Sequence, residues 1–366
     1  MRNIIIKIWR SESEYGKWFL SFPLFVLSKF YRACLLIRSY LYRTGILKTD
    51  EVSIPVVAIG NITVGGTGKT PVVERLAYRL KESGFNPGII TRGYKRARRG
   101  TFCVDKNNDT AVDVGDEALM LARKTKTPVV VGKRRALAII EAMKKCNIDL
   151  ALLDDGFQVK NIRKTVEVVV IKGGENDRAY NLFPYGPYRE PMGRLRDADA
   201  ILINNGSLGS EIAGLIVGIP TFRVEYRPLH LYNMKHNLIT HYNVLKGKKV
   251  LAFSGLGDNR SFFELLKSLG AHVVREISFQ DHHAYRSKDI DKISSFGDAN
   301  LIITTEKDAV KISGITIPDN LFYLSIEVNI EREQELIEVI QRKLDASGHT
   351  LPGLKAGEKV QRHWAH

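Results

Sequence analysis

The chain has 366 residues, 44% of them hydrophobic, a length and composition that suit two compact lobes, or one large core with extensions, and exclude a low-complexity or repeat protein. Its 55 Lys and Arg against 40 Asp and Glu give a formal charge of +15, which favours an anionic partner (nucleotide, nucleic acid or phospholipid head group) without choosing among them. The three cysteines, Cys34, Cys103 and Cys146, are far apart and lack Cys-x-x-Cys spacing, so neither a zinc site nor a disulfide framework is suggested and a reducing cytoplasm is expected.

The first 48 residues form a basic segment: Arg2, Lys7, Arg10, Lys17, Lys29, Arg32, Arg38, Arg43 and Lys48 face only Glu12 and Glu14. From Phe22, the residues Val26, Phe30, Ala33, Ile37 and Leu41 recur at helical spacing, while Leu24, Leu27, Tyr31 and Leu35 are apolar elsewhere on the wheel. A helix apolar on more than one face needs more than one apolar neighbour. The expectation is therefore a helix packed on the protein while dipping into a membrane interface, with a core helix bearing a basic edge as the alternative. The longest uncharged apolar run, Trp18 to Ser28, is shorter than the roughly 18 residues needed to span a bilayer, and no secretory signal is legible.

From Ile54 the pattern alternates. Strands are expected at Ile54 to Ile59, Asn86 to Thr91, Thr127 to Val131, Asp149 to Leu153, Val166 to Ile171 and Ala200 to Asn204. Helices are expected at Pro71 to Glu82, Gly115 to Lys124 and Arg134 to Lys145. Apolar strands alternating with helices predict a mainly parallel sheet covered on both faces. Thr221 to Asn233 reads as a β connection. Beyond it, Lys249 to Ser254, Val273 to Ile277 and Asn300 to Thr304 read as strands, and Ser261 to Leu269, Asp289 to Phe296 and Glu331 to Asp345 as helices. The expected organisation is a basic helix over 1–48, a first lobe over 49–220, a linker over 221–234, a smaller α/β lobe over 235–345 and a flexible tail over 346–366.

Thr63-Val64-Gly65-Gly66-Thr67-Gly68-Lys69-Thr70 follows a strand and opens a helix, the context that a Walker A loop requires. Glycines let successive backbone N–H groups turn toward phosphate oxygens, Lys69 supplies a point charge at the β and γ positions, and the Thr70 hydroxyl suits magnesium. Thr63 stands where the usual first glycine would be. Leu150-Ala151-Leu152-Leu153-Asp154-Asp155 is an apolar strand delivering two carboxylates at its end, a Walker B arrangement able to hold magnesium. The chain is thus expected to be an α/β protein with a P-loop NTPase core that uses ATP and Mg2+.

These motifs, together with Thr91-Arg92-Gly93-Tyr94, Gly115-Asp116-Glu117-Ala118, Asp154-Asp155-Gly156-Phe157-Gln158, Gly186-Pro187-Tyr188-Arg189-Glu190-Pro191, Phe279-Gln280-Asp281-His282-His283 and Thr305-Glu306-Lys307-Asp308, resemble the tetraacyldisaccharide 4'-kinase family, from about Phe22 to Asp345. The resemblance implies transfer of the γ-phosphate of ATP to the 4'-hydroxyl of a tetraacylated glucosamine disaccharide 1-phosphate, yielding lipid IVA. It further implies a P-loop lobe with a membrane-binding N-terminal helix, joined by a β linker to a smaller lobe that closes over nucleotide. The expected setting is the cytoplasmic face of a bacterial inner membrane, with an anionic membrane surface as partner, no nucleic acid, and a monomeric state.

By the same resemblance, Asp116 is the catalytic aspartate that accepts the hydroxyl proton, paired with His282, or else with His283. Lys69 and Arg135, or its neighbour Arg134, are expected on the developing charge, with Thr70, Asp154 or Asp155, and Glu190 around magnesium and Gln158 on phosphate or water. Glu190 reads equally as a salt-bridge partner of Arg189. Lys307 and Asp308 suit either a purine frame, by analogy with other P-loop proteins, or a helix start capped by Thr304 or Thr305. Arg92, Tyr94, Glu117 and Arg189 are expected on the acceptor. The basic stretch Arg92, Lys95, Arg96, Arg98 and Arg99 suits the acceptor's 1-phosphate, lipid head groups or plain solvation.

Two other classes compete. A regulatory P-loop NTPase would need neither an Asp116-type base nor an apolar first helix. A nucleic-acid module would need stacking aromatics or a finger motif that the sequence lacks.

Overall fold

The computed structural model describes residues 17–173, 181–312 and 314–349. The first basic residues, Arg2, Lys7 and Arg10, and the tail beyond 349 lie outside them.

Helix α1 (Lys17–Arg43) leads into β1 (Val56–Gly60), α2 (Lys69–Glu82), β2 (Pro87–Thr91), β3 (Phe102–Cys103), α3 (Ala111–Val114), α4 (Asp116–Lys124) and β4 (Val129–Val131). There follow α5 (Arg135–Cys146), β5 (Leu150–Asp154), β6 (Val166–Lys172), β7 (Ala200–Asn204) and α6 (Ser210–Leu215). The chain continues with β8 (Thr221–Asn233), β9 (Ile239–His241), β10 (Lys249–Ser254), α7 (Asn259–Ser268), β11 (His272–Ser278) and α8 (Ser287–Ser294). It closes with β12 (Leu301–Thr305), α9 (Glu306–Ala309), β13 (Leu321–Ile330) and α10 (Glu333–Ala346).

Among the described residues the strands form one sheet in the order β11-β10-β12-β13-β8-β7-β6-β1-β5-β2-β4-β3, with β9 on β8. Its first half is parallel from β8 to β4, as the alternation of apolar strands and helices predicts. Strand β8 pairs in parallel with β7 and antiparallel with β13 over most of its length, so this one long strand joins the halves. Strand β13 is the element that sequence reading missed, although the alternation of Leu324, Ile326, Val328 and Ile330 carries a strand signal. The helix α10 that follows it returns to the first half, where Leu336, Ile337, Ile340 and Leu344 share a core with Val57, Leu76 and Leu119.

Strand β1 shows why the sheet needs cover on both sides. Val57 and Ile59 point into the core beneath α2 and α4, while Val56 and Ala58 point into the one beneath α5. Cys103 on β3 and Cys146 at the end of α5 bring their free thiols to 3.2 Å, a proximity that their spacing in sequence does not announce.

Helix α1 turns an unexpected face inward. Ser28, Tyr31, Leu35 and Arg38 meet the protein, with Ser28 Oγ donating to Leu182 O (2.9 Å) and Tyr31 Oη to Arg189 O (2.9 Å). The stripe picked out by periodicity faces away: Phe22 is 69% exposed, Phe30 67% and Ile37 59%. No helix among the described residues is long and apolar enough to cross a membrane.

Candidate active site

Strands β1 and β5 run parallel with Ile59 opposite Asp154, so the loop after β1 and the carboxylates ending β5 emerge side by side. The loop carries Thr63, Val64, Gly65, Gly66, Thr67 and Gly68 to the start of α2, where Lys69 and Thr70 occupy the first turn. Gly68 has φ +83°, a left-handed conformation, and a side chain there would collide with the hydroxyl of Tyr226 from β8. That hydroxyl donates to Gly68 O at 2.8 Å. Asn61 Nδ2 donates to Thr67 Oγ1 (3.0 Å) and Asn204 Nδ2 to Thr67 O (3.0 Å), fixing the loop from beneath. No side chain caps α2, so its N-terminal amides stay open toward the space an anion would fill.

Lys69 Nζ stands 3.3 Å from Asp155 Oδ1. Arg189 bridges the same carboxylate (3.2 and 3.3 Å), donates to Thr63 O (2.9 Å) and bonds Asn61 Oδ1. Arg189 was expected on the acceptor; it lies instead against the phosphate loop and its carboxylate. Burial works against the charge on Asp155, but Lys69 and Arg189 outweigh it and hold its carboxyl below the usual range. Asp154 is only 4% exposed. Burial first, then the Glu117 and Asp155 carboxylates, push it up to about 7, and Thr91 Oγ1 donates to it at 3.2 Å. Gln158 donates to Asn61 O, on the floor of the same loop.

This crowding fits a cation. Asp154 and Asp155, with the hydroxyl of Thr70, are the oxygen donors nearest the loop, and their mutual repulsion is what a divalent ion relieves. Among the described residues no three carboxylates, imidazoles or thiolates converge to hold a metal unaided. Phosphate oxygens must therefore complete the shell, as magnesium in such sites requires. Glu190, 2% exposed, is committed elsewhere: Arg38 Nη2 of α1 pairs with it at 2.7 Å. The expected alternative of a Glu190–Arg189 pair is not formed, because Arg189 is taken by Asp155.

Arg135 is buried at the start of α5, with Nη1 donating to Gly132 O at 2.7 Å. Burial depresses its pKa most, the attraction of Asp154 and Asp155 opposes this, and Arg92 and Arg96 crowd it further. Its neighbour Arg134 is exposed and points into a different space.

A second cluster faces the first from the other half of the chain. His282 Nδ1 lies 2.7 Å from Asp116 Oδ2, while Nε2 stands 3.7 Å from Asp281. The competing His283 instead meets Asp289 at 3.2 Å. Burial opposes the charge on Asp116, but the His282 hydrogen bond and Lys307 prevail and hold its pKa below the usual range. Lys307 Nζ bridges Glu117 (3.0 Å), Asp281 (3.4 Å) and Asp116 (3.9 Å). The Tyr94 ring lies 4.9 Å from that of His282.

Lys307 and Asp308 are therefore placed otherwise than a purine frame requires. Lys307 is held by three carboxylates. Asp308 is fully buried, accepting from Gly255 N (2.9 Å) and Thr305 Oγ1 (2.7 Å) and pairing with Lys311 (2.6 Å). Thr305 Oγ1 in turn accepts from Asp308 N, the helix-start arrangement. Four positioning residues escaped sequence reading: Asn61, Asn204, Tyr226 and Arg38. Only Asn204, a polar residue ending an apolar strand, carried a signal of the kind that singled out Asp154.

Residues 20–345 match the sequence family described as tetraacyldisaccharide-1-P 4'-kinase. The chain belongs to this family. The tetraacyldisaccharide 4'-kinase of Halorhodospira halophila is 37% identical over 306 residues, 82% of this chain and 87% of that one. That of Halothermothrix orenii is 34% identical over 354 residues, 88% and 92% of the two chains. The crystal structure of the "apo" form LpxK from Aquifex aeolicus in complex with ATP superposes with a TM-score of 0.73 at 32% identity, covering 88% of this chain and 99% of that one. Family membership accounts for the Walker-type loop and the Asp116–His282 pair standing in one tetraacyldisaccharide 4'-kinase fold.

Proposed function

We propose that this chain transfers the γ-phosphoryl group of ATP to the 4'-hydroxyl of a tetraacylated glucosamine disaccharide 1-phosphate, giving lipid IVA in lipid A biosynthesis, with Asp116 as the base. What supports the reading is a continuous electrostatic path: Lys69 to Asp155 at 3.3 Å, Asp154 under the influence of both Asp155 and Glu117, and Glu117 beside the Asp116–His282 pair. Phosphate-binding and proton-accepting groups thus line one cleft.

Phosphoryl transfer asks the protein mainly for positioning and charge stabilisation. The loop amides and the open start of α2 hold the triphosphate, and Lys69 and Arg135 face the charge that develops on the transferred group. Magnesium, when bound, supplies neutralisation between phosphate oxygens; Thr70 with Asp154 and Asp155 would hold it. Asp116, kept ionised by His282 and Lys307, takes the proton of the acceptor hydroxyl as the oxygen attacks. His282 orients the carboxylate and carries part of the resulting charge change. Asp281, His282 and Lys307 come from the 235–345 lobe and Asp116 and Glu117 from the 49–220 lobe, so closure about the 221–234 connection assembles the base.

The protein acts as a monomer, bound peripherally at the cytoplasmic face of the bacterial inner membrane. The outward Phe22, Phe30 and Ile37 of α1 enter the lipid interface beside Lys29 and Arg32.

The test is transfer of labelled phosphate from ATP to tetraacyldisaccharide 1-phosphate in detergent with magnesium. Wild type makes product and Asp116→Ala makes none, whereas full transfer by the variant would remove the proposed base. Steady ATP consumption without any acceptor would favour a regulatory NTPase instead.

A further inference from the structure

Beside the cleft lies a groove of about 830 Å³ whose charged lining is entirely basic, including Arg92, Lys95, Arg96, Arg99, Lys133 and Arg134. It is built by two neighbouring strand ends. Thr91 of β2 pairs in register with Val131 of β4, so the segments that follow them leave the carboxyl edge of the sheet side by side.

None of those six cations is paired with a carboxylate among the described residues. Arg96 Nη2 donates to Gly100 O at 2.8 Å, whereas its buried Nη1 has no acceptor. A buried guanidinium N–H without a partner is costly, and cations massed in one groove repel each other; a phosphate monoester removes both penalties at once.

The groove also joins the reaction centre. Tyr94 lines it, and the same ring lies 4.9 Å from His282. We propose that this groove seats the phosphate monoester that the acceptor already carries, the 1-phosphate, so that the far end of the disaccharide presents its 4'-hydroxyl to Asp116. The proposal rests on the kinase reading above and adds how that kinase recognises and orients its acceptor. Phospholipid head groups share the phosphate chemistry, but a bilayer-docking surface needs apolar residues to insert. Leu137 and Tyr94 are the only large apolar side chains in the lining, and Tyr94 is turned to His282.

The experiment uses Arg99→Glu/Lys133→Glu, two exposed positions outside the catalytic set, with Arg99→Gln/Lys133→Gln as a milder companion. Steady-state kinetics in neutral detergent compare the acylated disaccharide 1-phosphate with the same disaccharide lacking that phosphate, and binding to phosphatidylglycerol vesicles is measured separately. Wild type should favour the phosphorylated acceptor. The Glu variant should lose about tenfold or more in kcat/KM on it, through KM, while its kcat/KM on the unphosphorylated acceptor and its KM for ATP hold; the Gln variant should fall between. Unchanged discrimination overturns the proposal, as does an equal loss on both acceptors. Loss of vesicle binding with discrimination intact assigns the groove to bilayer head groups and overturns it too. A wild type that phosphorylates neither acceptor removes the kinase reading and the proposal with it.

Discussion

His282 Nδ1 and Asp116 Oδ2 lie 2.7 Å apart although 166 positions separate them in sequence, and they belong to opposite ends of the sheet path. A base assembled from two halves works only when both are in place. Asp116→Asn and His282→Ala should each lower kcat by roughly 10²–10⁴-fold. The double variant should lose little more than Asp116→Asn alone, because the two act as one unit. Multiplicative losses in a double-mutant cycle would show that the histidine has a separate task.

The loop offers a second test through Gly68. Gly68→Ala places a methyl group against the Tyr226 hydroxyl at a left-handed φ and should abolish ATP-dependent turnover. Tyr226→Phe removes only the bond to Gly68 O and should cost about 0.5–1.5 kcal/mol of stability, with activity largely retained. Nucleotide titration and thermal melts distinguish the two.

Asp154 gives a pH signature. Its pKa is raised to about 7 in the fold, so the stability linked to its protonated form is complete below the ordinary carboxylate range and is lost as pH rises through about 7. Asp154→Asn should therefore raise the melting temperature of the nucleotide-free protein at pH 8 more than at pH 5, while suppressing transfer. Magnesium with ATP should stabilise wild type at pH 8 more than the variant. Equal melting shifts at both pH values would mean that Asp154 is ionised throughout.

Lys124 ties three elements together at the end of α4: it reaches Glu306 (2.8 Å), Ile326 O (2.9 Å) and Glu74 of the phosphate-binding helix (3.1 Å). Burial raises Glu74 to about 7 despite the opposing pull of Lys124. Lys124→Met should destabilise the protein by about 1–3 kcal/mol, more at pH 8 than at pH 5, since Glu74 is then charged without its partner. Adding Glu74→Gln should restore part of the loss at pH 8. Denaturant melts at the two pH values read the effect directly.

The first lobe was largely legible from the amino acids. Local rules suffice there: β5 is a run of apolar residues buried on both faces and ending in aspartate, and the glycine-rich turn precedes a helix that no side chain caps. The competing histidines His282 and His283 were not separable, since adjacent residues differ only in which neighbours the turn at φ +61° gives them. Arg189 and Glu190 behaved likewise. Adjacent and of opposite charge, they read as partners, yet one was drawn to Asp155 and the other to Arg38.

What the sequence determined by itself was the set of elements, the phosphate-binding turn, the carboxylates beside it and the family to which they belong, all consequences of periodicity and backbone chemistry acting over a few residues. What only the tertiary structure decided was which distant groups meet: Asp116 with His282, Lys307 with its three carboxylates, Tyr226 beneath Gly68, and the face that α1 turns outward. Those outcomes depend on how β8 and β13 splice two halves into one sheet, and the energy of a contact across such a junction is set by packing at long range, to which local spacing is blind.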